Sequence, residues 1–505
     1  MVNRVCLYSS GLVRPGEDIL VYYETDKAGH NCVALYPEGT TDLAGFLTFE
    51  PAPCQAGVVR FSGISTEDAS KSISPRAYVL RLVPYPTGSP GTSLAEARFT
   101  LTDSPCFLVG SFTAANTPAR EACSISLAGI LEKFTRTVTY GKHSGDSWLT
   151  VDARTGKITG TPPAEAAGRA GHIVVTAQDD AAPPRTTSVA VTVPVRPEEG
   201  PLVDRLRIAT WNMWYDAGKV WDGKSKVLRF LLEQDVDLLA LQEVHRYQEP
   251  GTVRQLADRL GWYYHQYPRV HKDPADDKDV GLISRYPIDL DHSGNEADFL
   301  RSTVTVGDLR LQVCTVHLDY TSYGPDLAPP GTRRFTADVQ DQEKRSARER
   351  EMRDGVLRKL AGYLAGADNE PVIVLGDFNC PSHRDWTSEV ATEPRNWPAT
   401  MLLEKAGFQV SYRAVHPDPG AHPGITWSPT ALWRKGMQRV EPVDRIDFIF
   451  HKGRKLQVLD SRACVTGTPT PAEEHESWKK PPRFWYNEWP SDHAAVITTY
   501  QVLRT

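Results

Sequence analysis

The chain has 505 residues, more than a single hydrophobic core normally serves, so several domains are expected. With 40% hydrophobic, 9% aromatic and 24% charged residues, its composition is that of a globular protein and excludes a largely disordered chain. A formal net charge of -6 excludes a protein held on nucleic acid mainly by non-specific phosphate attraction, and no run of about 18 apolar residues offers a transmembrane helix.

The start, Met1 to Asp18, lacks the apolar core of a secretory signal. Two locations follow as expectations: cytoplasmic, or secreted or cell-surface with a signal outside this sequence. Of the eight cysteines, Cys6, Cys32, Cys54, Cys106, Cys123, Cys314, Cys380 and Cys464, none forms a CxxC pair, so a zinc site is not expected. A disulfide such as Cys6 to Cys54 and buried free thiols stand as equal alternatives.

In chain order, residues 1–104 read as short strands, among them Ile19 to Tyr23, Val58 to Phe61 and Ala77 to Leu82, separated by Pro, Gly and Ser clusters. That pattern predicts a β-sandwich. The pattern repeats over 105–196, with strands at Ile173 to Ala177 and Ser188 to Val193. Here Trp148-Leu-Thr-Val-Asp-Ala-Arg-Thr-Gly156 followed by Ile158-Thr-Gly-Thr-Pro162 resembles immunoglobulin-like or cadherin-like repeats of multidomain bacterial proteins. Neither segment carries a titratable constellation, so both are expected to be spacers or adhesion modules that bind a surface or another protein. Such modules favour the secreted or cell-surface location. Val195 to Pro201, rich in proline and charge, reads as a linker.

From 203 to 505, apolar strand-like runs alternate with helical periodicity, as in an α/β domain. Val227, Leu228, Phe230, Leu231 and Leu232 suit one core-facing helix, and Met352, Val356, Leu357, Leu360 and Leu364 another. The charged helix from about Asp341 to Arg358 mixes both signs and reads as a solvated face.

Six apolar runs in this region adjoin an acid, amide or histidine: Arg207 to Asn212, Leu238 to Glu243, Leu311 to His317, Val372 to Asn379, Arg445 to Phe450, and Ser491 to Ile497. In the last run the polar group precedes the apolar residues, whereas in four of the others it follows them. An antiparallel strand brings both kinds to one sheet edge. Carboxylates and amides without cysteine are hard oxygen donors, which favour Mg²⁺, with Mn²⁺ as a substitute.

Thr210-Trp-Asn212, Leu241-Gln-Glu243, Val316-His-Leu318, Gly376-Asp-Phe-Asn379, Arg445-Ile-Asp447 and Ser491-Asp-His493 together resemble the ordered motifs of the endonuclease/exonuclease/phosphatase superfamily. The resemblance implies a four-layer α/β sandwich, two β-sheets face to face between helical layers, with the site at one edge. It implies Glu243, Asn212 and Asp492 at the metal, with Asp377 orienting the attacking water as general base and Asn379 holding the phosphate. It also implies that His493 contacts the scissile phosphate, oriented by Asp447, and that His317 lies on the leaving-group side, with Asp279 as its candidate partner. Tyr320, in the loop after His317, and Trp489, in the aromatic run before Ser491, are candidate substrate contacts, as is Asn212.

The function expected is metal-assisted hydrolysis of a phosphate ester, mono- or diester, of a small-molecule, sugar, glycan or lipid headgroup. Two alternatives stand beside it. A Mg²⁺-dependent nuclease would need a basic groove that the near-neutral catalytic region does not advertise. A non-catalytic binding or adhesion protein would have no chemical reason to keep both metal carboxylates and both histidines.

Overall fold

The computed structural model describes residues 3–7, 12–14, 17–26, 29, 31–62, 76–84, 92–132, 136–244, 250–266, 279–290, 299–329, 332–387, 397–430, 433–434, 439–440, 442–467, 469 and 483–504. The chain divides into two compact units, Met1–Ser104 with Val220–Asp222, and the remainder.

The first unit has two sheets, in which Ala56–Phe61 and Ala95–Leu101 alternate toward the core while Asn31–Pro37 is buried almost throughout. One has three strands, Arg4–Leu7, Ile19–Glu24 and Ala56–Phe61; the other has five, Leu12–Val13, Ala95–Leu101, Arg76–Pro84, Asn31–Pro37 and Thr48–Pro51. Val21, Tyr23 and Phe61 from the first sheet and Val33, Leu35, Leu80 and Phe99 from the second share one buried cluster, as in a β-sandwich. Cys6 and Cys54 are not joined in a disulfide, and neither is any of the other six cysteines.

In the second unit, residues 111–194 form a three-stranded sheet (Cys123–Ser126, Lys157–Gly160, Leu149–Val151) and a four-stranded one (Val138–Gly145, Ala170–Asp179, Thr186–Pro194, Ser111–Thr113). Their core does not close on itself. Phe112, Ile158, Val175 and Val191 belong to one cluster with Leu228 and Leu231 of helix α1 (Gly223–Glu233) and Leu256 and Leu260 of helix α2 (Thr252–Leu260). Arg229 Nη2 pairs with Glu132 at 3.1 Å, Arg259 Nε donates to the Gly129 carbonyl at 3.0 Å, and Asp235 accepts from Thr113 N at 2.9 Å. A Cβ on Gly129 would lie 1.9 Å from the Arg259 carbonyl oxygen, so only glycine permits this approach. The linker expectation at 195–201 therefore needs correction at its start, where Val195 and Arg196 are buried. An apolar core that continues into α1 and α2 docks this module against them, which a free spacer would not show.

Of the remaining described strands, Trp433–Arg434 and Arg439–Val440 pair as a two-stranded ribbon, and the other twelve form two six-stranded sheets. In chain order they are β1 (Val203–Asn212), β2 (Leu238–Gln242), β3 (Tyr263–His265), β4 (Val280–Ser284), β5 (Ile288–Asp289), β6 (Phe299–Val306), β7 (Leu309–His317), β8 (Val372–Asp377), β9 (Gln409–Val410), β10 (Asp447–Lys452), β11 (Leu456–Cys464) and β12 (Ala495–Val502). One sheet has the order β3-β4-β2-β1-β12-β11 and the other β5-β6-β7-β8-β10-β9. Each centres on a parallel pair, β1 with β2 and β7 with β8, flanked by antiparallel neighbours. Ile208, Leu282 and Tyr500 of the first sheet share a buried cluster with Leu311, Val313 and Ile373 of the second. Strands buried on both faces read as continuous apolar runs, which is why the motif-bearing runs were recognisable.

The charged helix is two helices, not one solvated face. α3 (Ala337–Arg345) ends at Ser346, and a second helix, Arg348–Arg350, continues through a wider π-type stretch, Glu351–Leu357, into Arg358–Leu364. Arg348 sits at the break, fully buried, pairing with Glu343 at 2.7 Å and donating to the carbonyls of Asp319, Thr321 and Ser322. Alternating charge signs did not disclose that one guanidinium had enough acceptors to be buried.

Candidate functional site

Strand register assembles the site. The ends of three neighbouring strands meet where His317 of β7 pairs with Asp377 of β8, and Asp377 with Asp447 of β10. Gly376 is required immediately before Asp377: its φ is +148°, and a Cβ there would lie 1.8 Å from the Val316 carbonyl oxygen. From the other sheet come Asn212 at the end of β1, Glu243 after β2, Asp279 before β4, and Asp492 and His493 before β12.

Contacts between the two sets tie the sheets together. Asn212 Nδ2 donates to Asp377 Oδ2 and to Glu243 Oε1, each at 3.1 Å. His493 Nδ1 bonds Asp447 Oδ2 at 2.9 Å, and His317 Nδ1 bonds Asp279 Oδ2. Both rings then present Nε2 to the same atom, Asp377 Oδ2, at 3.6 Å for His317 and 3.7 Å for His493. Two carboxylate–imidazole dyads thus converge on one buried carboxylate.

Burial by itself disfavours the charged rings. For His317 the adjoining Asp279, with Asp377 behind it, reverses this and holds the ring's pKa at about 10; for His493, Asp447 and Asp377 do the same, again to about 10. Asp377 is pushed up from the ordinary carboxylate range by burial and by Asp447, against the pull of the two histidines and the Asn379 N–H.

The surrounding backbone is strained where it meets the site. Trp214, Tyr215, Asp216 and Ala217 all have positive φ, between +44° and +65°, although none is glycine. This left-handed turn aims Tyr215 N at Glu243 Oε2, 2.9 Å away, and Asp216 N at the Glu243 carbonyl, 2.8 Å away. Glu243 at +56° and Asn379 at +48° are strained as well. Such conformations cost of order 1 kcal/mol each and persist only where the surroundings enforce them. Asn379 N caps Asp377 Oδ1 at 2.8 Å, and its Nδ2 bonds the Leu318 carbonyl at 2.9 Å.

A cleft of about 880 Å³ opens over these groups; Glu243, Asp279, His317, Asp377, Asn379, Asp492 and His493 all line it. Tyr320, 73% exposed, lies along its wall with Tyr215, Trp427, Arg345 and Arg350. Trp489 does not. It is 1% exposed and stacks on Trp211 at 4.4 Å, so the expectation of a substrate contact there is corrected. A ring this size gains more from the core formed with Trp211 and Phe230 than from a wet cleft. Both indoles instead donate to the His493 carbonyl, Trp489 at 2.7 Å and Trp211 at 3.2 Å.

Sequence reasoning missed Trp427, Tyr215 and the two arginines. Trp427 follows the short run Gly424-Ile-Thr426 and had no motif to mark it; only folding sets its ring 6.3 Å from that of His493. Arg345 and Arg350 were absorbed into the charged-helix reading, although a break between them was legible in the mid-helix Ser346.

Five carboxylates, those of Glu243, Asp279, Asp377, Asp447 and Asp492, face two imidazoles. Negative charge remains in excess even with both rings protonated, and no cysteine lines the cleft. Such a donor set fits a hard divalent cation. The tightest grouping, Asp377, Asp447 and His493, has its potential ligand atoms within 4.8 Å of one another, but the His493–Asp447 bond already accounts for it.

Comparison with known proteins bears on the same residues. The model of the Endonuclease/Exonuclease/phosphatase family matches residues 209–493, and a second model, for an Ig domain, matches 111–194. The protein F14F9.5 of Caenorhabditis elegans, itself uncharacterized, is 29% identical over 312 residues, which is 58% of this chain and 91% of its own. Among solved structures, AP endonuclease LMAP from Leishmania major is 12% identical over 59% of this chain and 88% of its own, with a TM-score of 0.37. ANGEL2, a 2',3'-cyclic phosphatase, is 13% identical over 60% of this chain and 97% of its own, also with a TM-score of 0.37.

Proposed function

Because the chain belongs to the endonuclease/exonuclease/phosphatase family, whose members are generally phosphoester hydrolases, we propose that it is a Mg²⁺-dependent hydrolase of a phosphate ester carried by a small molecule, a sugar or a lipid headgroup. The observation that carries this reading is the convergence of the His317–Asp279 and His493–Asp447 dyads on Asp377 Oδ2. Two cationic rings beside one buried carboxylate suit a tetrahedral oxyanion attacked by water.

Glu243 and Asp492 would hold the cation, with Asn212 bracing Glu243 against Asp377. When bound, Mg²⁺ supplies Lewis-acid neutralisation of charge on the phosphoryl group. The chain's own residues do the rest. Asp377, ionised, orients the water and accepts its proton as the new P–O bond forms. Protonated His493 holds a non-bridging phosphoryl oxygen through Nε2, and Asp447 keeps the ring charged. As the opposite P–O bond breaks, His317 gives its Nε2 proton to the departing oxygen, and Asp279 stabilises the charged ring until then. Asn379, locked by its left-handed backbone, holds the phosphate. Tyr320, Tyr215 and Trp427 supply flat apolar surface for the remainder of the substrate.

We read residues 203–505 as the catalytic domain and its two sheets, with α1 and α2 beside one and Met352, Val356 and Leu360 packed beside the other, as a four-layer sandwich. The catalytic proposal is tested by hydrolysis of bis-p-nitrophenyl phosphate, p-nitrophenyl phosphate, p-nitrophenyl phosphocholine and plasmid DNA, with Mg²⁺ or with EDTA. Mg²⁺-dependent turnover that disappears in His493→Ala is expected on one of the first three. Turnover in EDTA, or undiminished in His493→Ala, rejects the mechanism.

A further inference from the structure

A second cavity, of about 610 Å³, lies in the seam between the immunoglobulin-like module and the two-sheet region, at the far end of the sheets from the catalytic cleft. Asp279 precedes β4, and Arg285 and Tyr286 follow it; His317 ends β7, and Gly307 and Asp308 precede it. The same strands thus run from one site to the other, and β7 alone spans roughly 30 Å.

Two arginine side chains line this cavity, each with one buried donor that makes no hydrogen bond. Arg196, only 8% exposed, has a buried Nε with no hydrogen-bond partner; its one side-chain bond runs from Nη2 to the Asn116 carbonyl at 3.4 Å. No carboxylate pairs with it among the described residues. The side chain of Arg285, 4% exposed, reaches Asp237 through Nη1 at 3.4 Å but leaves Nη2 buried and unbonded. Tyr286, which also lines the cavity, has a buried hydroxyl that accepts from Asn116 N at 3.3 Å and keeps its proton to donate. The seat is built for Arg196: a Cβ on Gly307, whose φ is +62°, would lie 2.1 Å from Arg196 Nη1. Glu121, Glu198 and Asp308 also line the cavity, but all three are exposed, as is Arg504.

Glu121 and Asp308 act on Arg196 only from beyond ion-pair distance; a buried guanidinium with no carboxylate in contact is costly, and Arg forks match oxyanions in shape and charge. The volume is that of a small-molecule site. We propose that this cavity binds a small molecule through an oxyanion group, phosphoryl or carboxylate, held by Arg196, Arg285 and Tyr286. The site owes nothing to the catalytic reading and stands if that reading fails.

The test is calorimetric titration of the full chain carrying His493→Ala, which removes a phosphate contact of the catalytic cleft, with inorganic phosphate and separately with malonate. Saturable binding of either is expected, and the responding anion tells phosphoryl from carboxylate. Adding Arg196→Met should weaken it about ten-fold or more, the loss of one charge-assisted contact. Tyr286→Phe, which keeps the ring, should weaken it several-fold and serves if Arg196→Met does not fold. No saturable binding of either anion up to about 10 mM, the weak limit for a small-ligand site, overturns the proposal. So does equal affinity in the parent and both variants.

Discussion

Asp447→Asn is the sharpest single perturbation of the proposed mechanism. The asparagine keeps the shape and a hydrogen bond to His493 Nδ1 but removes the charge that sits 2.9 Å from the ring. Raising the ring from 6.5 to about 10 against the opposing effect of burial corresponds to roughly 5 kcal/mol in favour of the protonated form. Asp447 is the largest favourable contributor, with Asp377 and Asp492 behind it. Without it, burial regains weight and the ring falls back toward neutrality, so at neutral pH a substantial fraction of the enzyme loses its cationic phosphate contact. The expected result is a drop in kcat/KM of about 10²-fold or more, the usual contribution of a positioned acid or cation. The assay is the pH–rate profile under Mg²⁺ saturation, because a merely structural defect lowers the whole curve without moving its limbs. In the variant the alkaline limb should shift down by more than one pH unit. A variant with the parent's alkaline limb and more than half its activity would refute the assignment of Asp447 and the view of His493 as a cation.

Three further outcomes are expected. Glu243→Gln should abolish the Mg²⁺ response, with activity down by about 10²-fold, while the thermal midpoint holds or rises as negative charge is relieved; calorimetric Mg²⁺ affinity equal to the parent's would remove Glu243 from the metal. Gly129→Ala should destabilise the second unit by about 1–3 kcal/mol through its clash with the Arg259 carbonyl, read as a lower urea midpoint, and an unchanged midpoint would count against tight docking of the module. Burial lowers the pKa of His451 from 6.5 to about 4, so on acidification the unfolded chain takes up a proton that the folded chain refuses. Stability from this group is complete above about pH 6.5 and falls by up to about 3 kcal/mol toward pH 4; urea midpoints across that window should fall less in His451→Gln than in the parent.

The cluster proposed to be catalytic was legible because of where its residues stand. Asn212, Glu243, His317 and Asp377 follow apolar strand runs, and His493 precedes one, so polar residues at the boundaries of buried strands gave both element type and a common edge. The pairing of His317 with Asp279 was inferable only by resemblance, since the two lie 38 residues apart on different sheets. Trp489 shows the opposite case. An aromatic close to the cleft histidine His493 suits a ligand contact as well as a core position, and only the stack on Trp211, far away in sequence, decides between them. Arg348 was unreadable for a related reason, because the three carbonyls that permit its burial come from the loop after β7.

The docking of the immunoglobulin-like module was hidden at the level of composition. A proline- and charge-rich segment normally cannot build a core, and Val195 to Pro201 has that composition. Arg196 nonetheless enters the interior, because Gly307 clears space for its guanidinium and Asn116 offers a carbonyl. The cost of burying that charge cannot be recovered from one 3.4 Å bond. Nor can it be charged to folding alone, since a methionine of similar length would fill the seat more cheaply. A buried cation with no carboxylate in direct contact, beside an open cavity, makes physical sense if an anion completes it, and the module then contributes a wall of a binding site as well as a place in the fold.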